Sequence, residues 1–288
     1  MIINKKTIYL IFAFLLIAVA PKAQDTPWQE YMRLMTFAPR YFGPNAFPFP
    51  ELRSGYIGDK WEVEVRGEYH TYEGDQTKDI YGRLLVPIAG GRAGFEVSYT
   101  FYEYYLMTPE TMEERHAAGQ SWKHGSKGDL IFCSFYQILR NNNRVDILLE
   151  ASLKTASGDR LADARHTDAA TYWIDINTGF YLLKSADLSS FVRLQGLAGF
   201  YCWMTNDIVH RQNDSFLYSA GFSGKIKNLI YQADLVGFKG YKNQGDRPLV
   251  LRTKLNYELK KNILSLRYKH GINDYLYDTY SLAYIRCF

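Results

Sequence analysis

Polar and apolar residues alternate along most of the chain with a period of two. In the segment 61–70 one face is apolar or glycine, and the other face carries Glu62, Glu64, Arg66, Glu68 and His70. A β-strand turns alternate side chains to opposite faces, so this strand separates an apolar environment from a strongly polar one. Segments 93–102, 145–154, 251–257 and 264–269 repeat the pattern. They predict a protein built from two-faced strands.

Reading every such segment predicts twelve strands. Their approximate ranges are 59–72, 77–88, 92–104, 129–139, 144–156, 170–184, 189–203, 215–226, 229–240, 247–259, 262–271 and 276–288. An even number of antiparallel strands brings both ends of the chain to the periplasmic side, as single-chain bacterial outer-membrane barrels require.

The connections between these strands alternate in length. Every second connection is a short polar, glycine or asparagine turn, at 89–91, 141–143, 185–188, 227–228 and 260–261. The others are mostly longer, at 105–128, 157–169, 204–214 and 241–246. Short periplasmic turns and long external loops are typical of membrane barrels, whereas a β-sandwich with Greek-key crossings has no reason to alternate in this way. The predicted fold is therefore all-β, a transmembrane antiparallel up-and-down β-barrel of about 12 strands in the outer membrane.

Two further regions precede the barrel, which is predicted to span residues 59–288. Residues 1–23 form a predicted signal peptide, with a basic start at Asn4-Lys5-Lys6, an apolar run from Tyr9 to Ala20 and cleavage after Ala23. Residues 24–58 are rich in proline and aromatic side chains and show no strand period, and this proline density opposes both a central strand and a helix. We interpret 24–58 as a periplasmic lead-in or a plug that enters the lumen, with a flexible tail as the alternative.

Composition supports a barrel and narrows the chemistry. Aromatic residues make up 16% of the chain, with 24 Tyr and 17 Phe, which suits the two aromatic belts of a membrane barrel. The net charge of +4 gives no reason to expect nucleic-acid binding. The three cysteines, Cys133, Cys202 and Cys287, are widely spaced without a CxxC pair, so we expect no disulfide framework, no metal site and no cofactor.

The last strand carries a second sign of the outer membrane. Tyr280, Leu282, Tyr284 and Phe288 match the closing strand of Gram-negative outer-membrane barrel proteins, which the chain resembles, and Arg286 departs from that pattern. The resemblance implies that Phe288, Tyr284 and Leu282 form a signal for the barrel assembly machinery. The expected surroundings are outer-membrane lipid, and the expected state is a monomer.

Projecting the alternation inward gives a set of charged lumen-lining residues. They are Glu62, Glu64, Arg66, Glu68, His70, Arg83, Glu96, Asp146, Glu150, Lys154, Asp175, Arg193, Asp234, Arg252, Lys254, Arg267 and Lys269, with Gln232 among them. Early strands are mostly acidic and late strands basic, so opposite charges should meet where the barrel closes. Two interpretations stay open: a salt-bridged filling that stabilises a narrow barrel, or a transverse field that orients a polar solute.

One motif suggests an enzyme. His124-Gly125-Ser126-Lys127-Gly128 looks like the H-x-S-x-G segment of outer-membrane phospholipase A, which implies His124 as base and Ser126 as nucleophile. Trp122 and Lys127 depart from that family, and the orienting asparagine is not evident because Asn141 to Asn143 fall in a turn on the opposite rim. A polar loop end is the alternative interpretation.

Two loop features complete the candidates. Lys154 to Asp159 is similar to the K-x-x-[ST]-G-[DN] pattern of outer-membrane transporters of the phenol meta-cleavage-pathway type, which implies uptake of small, often apolar molecules. Arg165-His166-Thr167-Asp168, beside Asp159 and Asp163, offers oxygen ligands for a cation, but we interpret it as solvated loop charge. The predicted function is a channel or transporter for passive passage or binding of a small solute. A lipid hydrolase using Ser126 and His124, or a structural or surface-binding barrel, is the alternative.

Overall fold

The computed structural model describes residues 33–119, 123–140 and 145–288. Thirteen strands account for most of this part of the chain. Their bounds are β1 Glu62–Tyr72, β2 Asp75–Ile88, β3 Ala93–Met107, β4 Lys123–Ser126, β5 Leu130–Arg140, β6 Val145–Lys154, β7 Thr171–Lys184, β8 Ser190–Met204, β9 Gln212–Ile226, β10 Leu229–Gly240, β11 Leu249–Leu259, β12 Asn262–Asn273 and β13 Asp278–Cys287. The predicted signal peptide, the start of the lead-in at 24–32 and the turn at Asn141 to Asn143 lie outside the described residues.

The strands close into one antiparallel barrel. The last strand pairs with the first from Glu62 opposite Cys287 to Thr71 opposite Asp278. Strand β3 pairs with β5 through Ala93–Tyr99 and with the short β4 through Glu103–Leu106, so β4 and β5 share one position in the wall. The closed barrel thus has twelve positions and one extra strand. The predicted fold class is confirmed, and β4 is an element that the sequence did not predict.

The two faces of the wall differ as the alternation predicts. Outward residues such as Leu183, Leu282 and Leu266 are 70%, 61% and 58% exposed. Inward charged residues of the wall, such as Glu64 on β1 and Glu150 on β6, are buried. A closed barrel with an apolar outer wall satisfies its backbone internally, which a bilayer requires. Within the described part of the chain, no helix is long and apolar enough to cross a membrane.

The two rims are built differently. One rim carries tight turns, including the 3-10 turn Ala89–Gly91 and the two-residue connection between β9 and β10. The other rim carries the long connections, and one of them contains the helix α1, Pro109–Glu114, capped by the Thr108 side chain. We call these the turn rim and the loop rim.

Residues 33–58 run through the barrel from the loop rim to the turn rim, and we call them the plug. Near the loop rim, Asn206 donates to the Met35 carbonyl over 2.9 Å. Near the turn rim, Gln137 donates to the Gly55 carbonyl over 2.7 Å. Between these ends the plug contacts inward side chains of strands on all sides. Its backbone lies so close to the wall that any side chain at Gly179 would collide with the Ser54 carbonyl.

The loop-rim half of the plug is apolar and forms the interior core. Phe37, Phe42 and Phe47 are nearly fully buried and meet edge to face in series. Phe47 then packs against Trp203, with ring centroids 5.5 Å apart. The lumen of this barrel is therefore filled by protein at its loop end.

Candidate functional site

The polar middle of the lumen is organised around two plug residues, Glu51 and Arg53. They are the charged residues of the segment 41–58. Leu52 between them is buried, and its carbonyl accepts a hydrogen bond from Gln232 over 3.0 Å. The two side chains reach different walls of the barrel.

Arg53 contacts a wall of carboxylates on β3 and β6. Its guanidinium lies 2.9 Å from Glu96 and 3.3 Å from Glu150. Arg83 on β2 also contacts Glu96, at 2.9 Å. The guanidinium of Arg53 stacks over the Phe135 ring at 4.4 Å, which fixes its plane. Both carboxylates are thus held by buried, hydrogen-bonded cations.

Glu51 contacts a wall of cations on β11 and β12. Its carboxylate lies 3.2 Å from Lys254 and 3.6 Å from Arg267. The adjacent Arg252 pairs with Asp234 at 2.7 Å and also donates to the Pro50 carbonyl at 2.8 Å. The basic strands therefore bind the plug through both its side chain and its backbone.

Charges of the first and last strands meet at the closure of the barrel. Arg267 lies 2.9 Å from Glu64, and Lys269 lies 3.7 Å from Glu68. Arg66 bridges the same two carboxylates, at 3.0 Å and 2.9 Å. This ladder spans β12 and β1, with β13 between them. It holds the seam of the barrel from the inside.

A buried histidine lies above this ladder. Glu68, His70 and Asp79 bring their ligand atoms within 4.8 Å of one another, a spacing that a metal ion would accept. Both ring nitrogens of His70 already have partners, Thr279 and Asp79, each at 2.8 Å. Asn45 of the plug also donates to Asp79, at 2.8 Å. The contacts of this histidine are those of a hydrogen-bonded lumen network.

The interpretation of the loop cluster as solvated charge is wrong for Asp163, Arg165, His166 and Thr167, which are buried, whereas Asp168 is exposed. Arg165 and His166 are 0% exposed. Arg165 turns inward, pairs with Asp75 and contacts Glu103 at 2.8 Å. The loop folds back because these carboxylates on β2 and β3 need a cation once water is excluded. Arg115, which follows α1, completes the cluster with a 2.9 Å contact to Asp75.

The Lys154 to Asp159 motif anchors the loop between β6 and β7. The fully buried Lys154 ammonium lies 2.7 Å from Asp129. The Gly158 amide donates to the other Asp129 oxygen, also at 2.7 Å. Burial alone would raise the pKa of Asp129, but Lys154 and His166 outweigh it and hold that pKa below its usual range. The motif thus joins the loop to the junction of β4 and β5.

His124 and Ser126 both lie on β4, but their side chains contact different residues. The Ser126 hydroxyl is 2% exposed and donates to Glu103 over 3.1 Å. The His124 ring lies beside the Tyr105 ring, with centroids 6.5 Å apart. Because Ser126 pairs with Glu103, it faces the lumen, whereas a lipid hydrolase needs its nucleophile open to lipid. The geometry gives the hydrolase interpretation no support.

The remaining predicted residues lie as follows. Arg193 pairs with Asp146 at 2.9 Å and donates to the Ser54 carbonyl at 2.7 Å. Asp175 is 1% exposed beside Glu150, its cross-strand partner. Glu62 lies at the turn rim, 2.7 Å from Arg83. In the closing strand, Leu282, Tyr284 and Phe288 are outward and exposed.

Part of the space between the plug and the wall is open. One internal cavity of about 110 Å³ lies beside Glu51 and Arg53, with Glu96, Glu150 and Lys269 among its lining residues. It has room for about three or four water molecules. The residues that fill the lumen, Asn45, Glu51 and Arg53, were missed by strand periodicity. The available signal was an isolated pair of opposite charges in an otherwise uncharged segment.

Comparison with known proteins finds solved structures with a similar fold. No family model and no curated protein matches the sequence. An outer-membrane channel from Pseudomonas putida F1 is similar in structure, with 14% identity, 83% of this chain and 99% of that chain covered, and a TM-score of 0.51. The translocator domain of the autotransporter NalP from Neisseria meningitidis (7% identity, 81% and 90% covered) and the KdgM porin (12% identity, 78% and 99% covered) have TM-scores of 0.48 and 0.46. The closed wall and its apolar outer face give this chain the fold of an outer-membrane β-barrel, and it shares that fold with the Pseudomonas channel.

Proposed function

We propose that this protein is an outer-membrane channel for a small solute, closed at rest by its plug. The observation that carries the proposal is the kind of contact that holds the plug. In the middle of the lumen it is held by ion pairs and hydrogen bonds, including Arg53 to Glu96 and Glu51 to Lys254. Such contacts are exchangeable with water and with polar solutes.

Passage then requires the plug to move. The cavity of about 110 Å³ beside the plug is too small for most metabolites, and we expect the resting lumen not to conduct them. The charged walls would line the path once the plug is displaced, and charged rings of this kind orient ions and polar solutes in pores. The fold that this chain shares with a protein named an outer-membrane channel supports the same function.

The test is the current through planar bilayers that contain the full chain. We expect rare openings from the native protein and a higher open fraction from Arg53→Gln, because the variant removes the plug's contact with Glu96 and Glu150. The matched control is Lys225→Gln. It breaks a wall ion pair, Lys225 to Glu258 at 2.7 Å, that involves no plug residue, and should leave the open fraction unchanged.

Absence of current from both the native chain and Arg53→Gln, with the barrel folded, would overturn the channel function. An equal rise in Arg53→Gln and Lys225→Gln would overturn the role of the plug as the gate. Folding of each variant is checked by its β-sheet circular dichroism and by its shift on unheated gels.

A further inference from the structure

Glu51 and Arg53 cross the lumen in opposite directions. Glu51 reaches β11 and β12, and Arg53 reaches β3 and β6. Around the barrel, β12 is separated from β3 by β13, β1 and β2, and β11 is separated from β6 by β10, β9, β8 and β7. The two contacted walls therefore face each other across the barrel. Glu51 and Arg53, which are two positions apart in the plug, therefore connect a basic wall with an acidic wall.

Each wall carries charge that the plug neutralises. On the basic side, Arg252 has Asp234 as its wall partner, while Lys254 pairs with the plug's Glu51. On the acidic side, Glu150 pairs with the plug's Arg53. Losing a partner is strongly destabilising on the acidic side, where the Glu150 side chain is 1% exposed. The loss is smaller on the basic side, where the side chains of Lys254 and Glu51 are 22% and 41% exposed.

The acidic wall still has unused capacity. Asp175 lies directly across from Glu150 on the neighbouring strand. It is 1% exposed, and among the described residues its Oδ2 atom has no hydrogen-bond partner. The small internal cavity opens beside Glu150, between this wall and the plug. A second donor from an incoming cation would find an acceptor here.

We propose that this cross-section is a binding site for a small dipolar solute, a short peptide or amino acid that carries both a carboxylate and a guanidinium or ammonium group. The proposal rests on the channel function above and names its solute class. The solute replaces Glu51 on Lys254 and Arg267, and replaces Arg53 on Glu96 and Glu150. A neutral or singly charged solute leaves at least one wall unpaired.

This arrangement makes the plug an internal competitor. The solute and the Glu51-Leu52-Arg53 segment cannot occupy the two walls together, because they need the same partners and the adjoining cavity of about 110 Å³ is too small for a peptide. The apparent affinity for a ligand is reduced in proportion to the fraction of protein molecules in the binding-competent state. Weakening the plug must therefore strengthen solute binding, which a merely structural plug would not do.

The experiment measures peptide binding to the full chain in detergent micelles by titration calorimetry. The probe is acetyl-Glu-Leu-Arg-amide, which has one carboxylate, one guanidinium and no terminal charges. Its controls are the singly charged acetyl-Glu-Leu-Gln-amide and acetyl-Gln-Leu-Arg-amide, and the neutral acetyl-Gln-Leu-Gln-amide. We expect the dipolar peptide to bind at least about tenfold more tightly than each control, since each control forfeits one wall.

Two kinds of variant sharpen the result. The plug variant Glu51→Gln with Arg53→Gln should bind the dipolar peptide about tenfold more tightly than the native chain, and Glu51→Gln alone should show part of this gain. The wall variant Lys254→Gln should no longer bind acetyl-Glu-Leu-Arg-amide more tightly than acetyl-Gln-Leu-Arg-amide. Lys225→Gln, remote from the plug, should bind as the native chain does.

Equal binding of all four peptides, or no gain in either plug variant, would overturn the solute class. If currents still flow in that case, the channel function stands without it. Tight, selective peptide binding by a chain that never conducts would support the site and overturn the channel function instead.

Discussion

The Trp203 indole nitrogen donates a hydrogen bond to the Phe37 carbonyl over 2.8 Å, joining the eighth strand of the wall to the plug. The two residues lie 166 positions apart in the chain, and both are nearly fully buried. The neighbouring inward residue, Tyr201, stacks on Phe238 with ring centroids 4.4 Å apart. This directed hydrogen bond inside an aromatic cluster therefore helps to hold the loop end of the plug, together with the bond from Asn206 to Met35.

Trp203→Phe removes that donor and leaves the Phe37 carbonyl buried without it. We expect a loss of about 1–3 kcal/mol in the free energy of unfolding, since an unsatisfied buried acceptor keeps its desolvation penalty. Urea unfolding in micelles, followed by circular dichroism, measures it.

The matched control is Tyr201→Phe. Among the described residues the Tyr201 hydroxyl is buried without a hydrogen-bond partner, so its removal should be neutral or slightly stabilising. Equal losses in the two variants would contradict the stabilising role assigned to the hydrogen bond from Trp203 to Phe37.

Strand positions were accessible from the sequence because they follow from a local rule. In β1, each inward charge is followed by an outward apolar residue or glycine, and the period fixes both the strand and its faces. The helix α1 and the strand β4 were missed because both lie inside a segment interpreted as one long loop. The register of β4 is set by Tyr105 and Glu103 on another strand, which periodicity within four residues cannot reveal.

The plug and the loop cluster were harder to predict for a different reason. Arg165 looks like a solvent-facing loop residue until Asp75 and Glu103, 90 and 62 positions away, are brought beside it. Likewise, Arg53 has no partner nearby in the sequence, and its partners Glu96 and Glu150 lie beside it only in the closed barrel. Pairing between distant charges depends on the closed barrel, so the alternation of residues along the chain could not identify these partners.

Lys154→Met should destabilise the protein strongly. Lys154 is fully buried, and its loss leaves the Asp129 carboxylate without its cation, which costs about 3–5 kcal/mol. Lys225→Met is the matched comparison: that ion pair is partly exposed, and its loss should cost at most about 1 kcal/mol. Urea midpoints of the two variants give the difference.

A second substitution tests the cause. Asp129→Asn in the Lys154→Met background removes the unpaired charge while keeping an acceptor for the Gly158 amide. We expect it to recover much of the lost stability. A double variant as unstable as Lys154→Met alone would assign the loss to packing and not to charge.

The loop between β8 and β9 should stay ordered in mild acid. Asp207 accepts a hydrogen bond from Lys242 at 2.6 Å and others from the backbone amides of Val209 and His210. These contacts lower the pKa of Asp207 from 3.8 to about 2. Because the folded pKa is depressed, their stabilising effect is complete above about pH 4 and is lost as the pH falls through 2.

Hydrogen exchange at the Val209 and His210 amides reports this change. Protection, corrected for the intrinsic pH dependence of exchange, should fall between pH 4 and pH 2. Asp207→Asn lacks the titrating group, so its corrected protection should be flat over the same window. A matching decline in that variant would show that another group controls the loop.

The direction of the plug predicts which of its ends is reached from outside the cell. Leu34 lies at the loop rim and is 58% exposed, while the exposed Asp59 follows the plug at the turn rim. With the long loops outside, a membrane-impermeant maleimide should label Leu34→Cys on intact cells and leave Asp59→Cys unlabelled. Both should react after the outer membrane is opened, which controls for thiol reactivity.

Cys133 and Cys202 are buried, so Cys287→Ser is the single background change that the assay needs. Labelling of Asp59→Cys alone on intact cells would reverse the orientation of the barrel, and labelling of both would mean that the plug leaves the lumen open to the reagent.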